Sequence, residues 1–272
     1  MTSVVLASAS PARLALLRAC GLDPQVVVSH VDEPAVEAAA RQRDPHVSPG
    51  TLAQLLAEAK GESVASRLPA GTDLVIACDS VLELDGRVHG KPGTAEVARE
   101  RWSAMRGRTG VLHTGHHVVH LPTGRSAGAP ASARVHFAGA SDAEIDGYVA
   151  TGEPLHVAGG FTLDGLGAPF VDGIEGHPST VIGLCLPLLR RLGVLDMPGE
   201  RSSHAVPTLR GMGLATAAAA LLGALAGLVL GEYRRIARDP DRGVDAPALT
   251  DRETEVLRYV AKGLSAKQIA SK

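Results

Sequence analysis

Val4-Val-Leu-Ala-Ser-Ala-Ser-Pro-Ala-Arg-Leu-Ala-Leu-Leu17 passes from a buried strand directly into a capped helix, and the rest of the chain is read around that passage. Val4 to Ala7 is a short apolar run, the pattern of a parallel strand covered on both faces. Ser8, Ala9 and Ser10 are small and let the backbone turn. Ser10 then caps a helix whose first position, Pro11, needs no hydrogen-bond donor. The helix aims its unpaired N–H groups and the positive end of its dipole at the strand terminus, a corner that suits phosphate. Arg13 stands in the first turn with a donor fork that matches phosphate oxygens. Capping alone also accounts for the serines and the proline, so the corner has a structural reading beside the binding one.

With 272 residues, 45% hydrophobic and 21% charged, the chain suits one large globular domain with an appended piece, or two small domains, and is not disordered. A formal charge of -2 gives no global basic field, so any phosphate binding must be local. Cys20, Cys78 and Cys185 are isolated, which suggests neither a disulfide framework nor a thiolate zinc site. The first residues lack a charged secretory leader, and a reducing, cytoplasmic setting is expected.

Outward from the corner, Gln25 to His30 reads as a second strand, ended by Val31-Asp-Glu-Pro34. Its two acids could hold a metal or a sugar hydroxyl, or be solvated loop acids before a proline. From Pro49 the spacing of Leu52, Leu55, Leu56, Ala59 and Lys60 predicts a helix. Lys60 falls near its apolar face, as a snorkelling lysine or a functional one. Leu74-Val-Ile-Ala-Cys-Asp-Ser-Val-Leu-Glu-Leu-Asp-Gly86 is an apolar run broken by Asp79 and Ser80 and closed by an Asp-Gly turn. A carboxylate inside a buried strand costs several kcal/mol unless paired, hydrated or bound to a cation. Such a break in a local rule is where function is sought. Lys91 in Gly90-Lys-Pro-Gly93 is an exposed, positioned cation. A helix follows from Thr94 to Met105, with Ala95, Ala98, Trp102 and Met105 as its core face.

Gly107 to His120 is strand-like and holds His113, His116, His117 and His120. Alternation along a strand sends half of these rings to the wrong side, which argues against a metal cluster. Gly124 to Ala133 reads as a turn, Arg134 to Ala138 as a strand, and Ser141-Asp-Ala-Glu144 as a capping box opening a helix to Thr151. Val157 to Gly167 is glycine-rich and lets a backbone approach a ligand closely, without dinucleotide spacing. Phe170 to Gly176 and Thr180 to Leu192 complete a strand and a last helix.

Leu6-Ala-Ser-Ala-Ser-Pro-Ala-Arg13, Ala77-Cys-Asp-Ser-Val81, Gly90-Lys-Pro92, Gly107-Arg-Thr109, His113-Thr-Gly115, Gly152-Glu-Pro154, Ala158-Gly-Gly160 and Ile182-Gly-Leu184 occur in one order and spacing. On these motifs residues 3–194 resemble the Maf family of nucleoside triphosphate pyrophosphatases. The resemblance implies a two-lobed α/β fold of the Maf/ITPase-like type, with an elongated mixed sheet and a nucleotide cleft between the lobes. It also implies a divalent metal (magnesium or manganese), a homodimer, and a housekeeping role against non-standard or modified nucleotides linked to restraint of cell division. Carried over by position, Asp79 is the catalytic acid. Ser8, Ser10 and Arg13 form the phosphate corner, Glu33, Lys60, Lys91 and Asp164 contact the nucleotide, and Asp79 with Glu33 holds the metal. Ala12 stands where the family usually has the first of two arginines, Ser80 where it often has threonine, and Asp164 where one subgroup has glutamine. Ala12 removes one phosphate contact.

Residues 196–210 read as a Pro/Ser/His linker. Gly211 to Gly231 is a continuous apolar run, within a helix expected over 211–238, long enough to span a membrane. It is rich in weakly inserting Ala and Gly and fits equally a helix packed on the domain or on a second copy. Residues 239–272 include a capping box at Thr250 and Glu253 and resemble the start of a LuxR-type helix-turn-helix that stops at Lys272, short of a recognition helix. Sequence-specific DNA binding is therefore not expected. The alternative to an enzyme is a nucleotide-sensing regulator with a partial DNA-binding module.

Overall fold

The structure is a computed structural model and describes residues 3–195; the linker, the apolar run and the LuxR-like stretch lie outside the described residues. In chain order the elements are β1 (Val4–Leu6), α1 (Pro11–Ala19), β2 (Gln25–Val26), α2 (Glu33–Arg43), α3 (Pro49–Ala65), β3 (Leu74–Leu84), β4 (Arg87–His89), α4 (Ala95–Met105), β5 (Thr109–His120), β6 (Arg125–Phe137), α5 (Asp142–Ala150), β7 (Val171–Glu175), α6 (Pro178–Ile182) and α7 (Leu186–Arg191). The strands form one mixed sheet in the order β2-β1-β3-β5-β6-β7, with β4 also paired to β3.

Helix starts follow local chemistry. Ser48 accepts the Thr51 N–H at 3.1 Å ahead of Pro49 and starts α3. Ser141 and Glu144 form the expected reciprocal capping box at α5. Four boundaries differ from the sequence reading. The second strand is only Gln25–Val26, and Asp32 caps α2 by accepting the Ala35 N–H at 3.0 Å, so the acids open a helix instead of ending a strand. The turn expected over Gly124 to Ala133 is mostly strand. β6 runs from Arg125 because its small residues pair along the whole of β5. The last helix breaks at Gly183 (φ 125°) into α6 and α7.

β3 is the spine. Leu74, Ile76 and Cys78 pack in one core with Val4, Leu6, Leu17, Leu184 and Leu189. Leu82 and Leu84 belong to another with Trp102, Phe137, Tyr148 and Phe161. Trp102 is fully buried and meets Phe137, Tyr148 and Phe170 edge-on with centroids 5.5–5.8 Å apart, an arrangement worth about 0.5–1.5 kcal/mol per pair beyond burial. The two cores make the two lobes, and Asp79 lies on the stretch of β3 between them. On one edge, β3 pairs with β1 as far as Ile76 and with β4 from Leu82 onward. Residues 77–81 are paired only with β5. The sheet is thus notched beside Asp79, at the carboxyl end of β1, where open α/β sheets take their ligands.

Candidate functional site

Alternation along β3 sends Asp79 and Ser80 to opposite faces. Asp79 faces α3, directly across from Gly115 of β5. A Cβ at Gly115 would lie 2.2 Å from the Ala53 carbonyl oxygen, so the missing side chain lets the α3 backbone sit on the sheet. Gly61 allows the same against His117, where a Cβ would lie 2.6 Å from the ring. This close seating brings Lys60, one helix position before Gly61, onto Asp79. The Lys60 ammonium bonds Asp79 Oδ1 and also reaches Glu33 Oε1 at 2.7 Å. The Lys60 and Asp79 side chains are only 12% and 11% exposed. Burial presses Lys60 toward neutrality, but the charges and hydrogen bonds of Asp79 and then Glu33 outweigh it, and its pKa is raised. Lys60 is therefore a charged, fixed cation and not a snorkelling one. Asp79 Oδ2 has no partner among the described residues, which leaves that oxygen for water or ligand.

Ser80 faces the α1 side. Arg13 Nη1 donates to Ser8 Oγ at 3.1 Å and to the Cys78 carbonyl at 2.9 Å, and Nη2 donates to Ser80 Oγ at 3.0 Å. Thr114 uses its one hydroxyl proton on the Thr180 carbonyl, so Ser80 must donate in its turn to Thr114 Oγ1 at 2.9 Å. The result is a directed chain from Arg13 through Ser80 and Thr114 to α6. Three of the five N–H donors of Arg13 are spent inside the protein. Nε faces Gly183, where a Cβ would lie 2.7 Å away. Ser10 caps α1 by accepting the Arg13 N–H at 3.4 Å, and its own N–H goes to Ser8 Oγ at 3.3 Å. The Ser10 cap is as expected, and the Cys78 carbonyl that Arg13 holds belongs to the peptide that leads into Asp79.

The remaining residues stand apart from this cluster. Lys91 is exposed and makes no ion pair among the described residues. Its turn is fixed by Gly159 N–H donating to the Gly90 carbonyl and Gly93 N–H to the Leu155 carbonyl. Asp164 is exposed on the loop that follows Phe161 and does not bond Asp79 or Lys60. Among the described residues no group of three metal-ligating side chains converges. The histidines disperse as alternation requires: His113 to Glu83 and Ser132, His117 to Glu62, His120 to Thr123. His116 is fully buried and accepts the Cys185 N–H at 2.8 Å, and burial lowers its pKa to about 4. Among the described residues no helix is long and apolar enough to cross a membrane.

Two features of the structure escaped the sequence reading. Thr114 was visible only as a letter of His113-Thr-Gly115, and Thr180 only as the start of the last helix. Glu153 had no signal beyond its place in Gly152-Glu-Pro154, yet it collects four hydrogen bonds.

Residues 3–193 match the family model described as "Maf-like protein". The chain belongs to the Maf family. A Maf relative from Streptomyces coelicolor, named nucleoside triphosphate pyrophosphatase, is 57% identical over 189 residues, covering 70% of this chain and 88% of that protein. Relatives of the same name from Salinispora tropica and Leifsonia xyli subsp. xyli are 56% and 54% identical, over 72% and 69% of this chain and 84% and 89% of their own lengths. Beyond the Maf region, residues 247–272 match the model described as "Bacterial regulatory proteins, luxR family".

Proposed function

We propose that the chain hydrolyses nucleoside triphosphates to the monophosphate and pyrophosphate. Maf relatives bearing that name at 54–57% identity support it. The observation that carries it is a nearly buried carboxylate with one free oxygen, set in the sheet notch next to the Cys78 carbonyl that Arg13 of the α1 corner holds.

The triphosphate lies against the α1 N-terminus, and the helix dipole together with Lys91 offsets its charge. Asp79 Oδ2 takes a proton from water as its oxygen bonds to the α-phosphorus. The bond from that phosphorus to the bridging oxygen breaks, and pyrophosphate leaves with the electron pair. Lys60 holds Asp79 through Oδ1, which aims the other oxygen at the water. Arg13 fixes the corner's shape by tying Ser8, Cys78 and Ser80 together. Whatever phosphate contact it adds comes from its remaining donors.

Asp79 and Glu33 each bond the Lys60 ammonium through one oxygen, and their second oxygens are the hard donors that would hold a divalent cation completed by phosphate oxygens and water. When bound, magnesium or manganese there would screen the phosphate charges. A cytoplasmic homodimer is part of the same proposal. The luxR-family match supports a second reading, a nucleotide-sensing regulator. Incubating the full chain with magnesium and a panel of nucleoside triphosphates, and identifying both products, separates the two. Monophosphate and pyrophosphate are expected, and nucleotide binding without turnover would favour the regulator.

A further inference from the structure

Glu153 lies outside the Asp79 cluster, and yet one of its carboxylate oxygens, Oε1, accepts from Tyr148 Oη at 3.0 Å, from Thr162 Oγ1 and from the Gly167 N–H at 3.1 Å. The other, Oε2, accepts from the Leu166 N–H at 3.0 Å. All four donors point at the carboxylate, and three come from residues 162–167. Two glycines make the approach possible. A Cβ at Gly165 would lie 2.7 Å from Oε2, and one at Gly167 would lie 2.5 Å from the Tyr148 hydroxyl oxygen. Burial raises the Glu153 carboxyl, but the bonds from Thr162, Leu166, Tyr148 and Gly167 outweigh it, and the pKa is lowered. The group is thus an anion that the loop wraps.

The wrapped loop carries two outward residues, Asp164 and Leu166, the latter an apolar side chain left 50% exposed. It follows directly from residues 158–160, which are fixed to the site's rim: Gly159 packs on Leu82 of β3 and bonds Gly90, beside Lys91, and the Gly160 carbonyl accepts from Trp102 at 2.7 Å. A polar acceptor and an apolar side chain offered together suit the edge and face of a nucleobase, and the segment that leads into them is tied to Gly90, the neighbour of Lys91. Without the anion, four donors lose their acceptor, and the loop loses the bonds that give it one shape.

We propose that Glu153 is a positioning residue for base selection, whose carboxylate holds residues 162–167 so that Asp164 and Leu166 meet the nucleobase. This rests on the pyrophosphatase reading. Absence of pyrophosphate release by the wild-type chain with every nucleoside triphosphate would sink that reading and be seen before any variant is made. Glu153→Gln replaces one acceptor with a donor facing N–H groups. In the full chain it should raise KM about 10-fold for the preferred nucleotide, leave kcat within about 2-fold, and flatten the ratio of kcat/KM between nucleotides. Tyr148→Phe removes a single donor without unbalancing the charge and should give a smaller shift of the same kind, which keeps the test open if the glutamine variant folds poorly. Combined with Asp164→Asn, Glu153→Gln should add little further loss in KM, because both act through one loop. Unchanged KM and nucleotide ratios in a folded Glu153 or Tyr148 variant, or fully additive losses in the double variant, would overturn the assignment.

Discussion

Replacing Asp79 by asparagine exchanges one carboxylate oxygen for an NH2 group and removes a charge that Lys60 needs. Leaving a buried charge without its partner costs about 3–5 kcal/mol. Lys60 is not left alone, however, because Glu33 still reaches it at 2.7 Å with a side chain 50% exposed. The expected loss is therefore about 1–3 kcal/mol, between the buried and the surface cases. At roughly 2–4 °C per kcal/mol for a domain of this size, the melting midpoint should fall by about 2–12 °C. Turnover should fall by about 10²-fold or more, the span for losing a general base. A lower midpoint alone does not separate the two roles of Asp79, which is the partner of Lys60 in the structure and the base in the proposed reaction. The double variant Asp79→Asn with Lys60→Met does separate them. Stability should recover once the unpaired charge is gone, while turnover should not. Single-turnover kinetics and thermal melts on the same samples decide the matter. Turnover within about 3-fold of wild type in Asp79→Asn would refute the reasoning. So would activity that returns together with stability in the double variant.

Gly115→Ala should destabilise by about 1–3 kcal/mol and lower turnover, since the new methyl meets the Ala53 carbonyl and pushes Lys60 away from Asp79; melting and kcat together check it. His116 has a folded pKa of about 4 against an ordinary 6.5, so the unfolded chain takes the proton first and stability is lost as pH falls between those values, by up to about 3 kcal/mol. Denaturant midpoints at pH 7 and pH 4.5 should therefore diverge less in His116→Asn than in wild type. A chain truncated after residue 197 should keep its solubility and its turnover, as judged by gel filtration and pyrophosphate release, because the Maf match ends at residue 193.

The β1–α1 corner was legible because capping chemistry is local: Ser10 and Pro11 mark the helix start whatever packs on it. Asp79 was legible as a charge out of place in an apolar strand. Its partner was not, since Lys60 lies 19 residues earlier and only the seating of α3 over Gly61 and Gly115 brings the two together. Those glycines mark close approach, which a single sequence does not distinguish from a turn. β6 was misread for a related reason. Ser126 to Ala133 holds small residues that resemble a loop, and their pairing with β5 depends on a neighbour that local propensity does not contain. Glu153 was invisible because three of its four donors are supplied by a loop whose fold depends on Glu153 itself.

The central claim is that water attacks the α-phosphorus in the notch beside Asp79, and hydrolysis in oxygen-18 water tests it most directly. The label should appear in the nucleoside monophosphate, with unlabelled pyrophosphate as the other product. Label in pyrophosphate, or in inorganic phosphate with a nucleoside diphosphate as the other product, would contradict it.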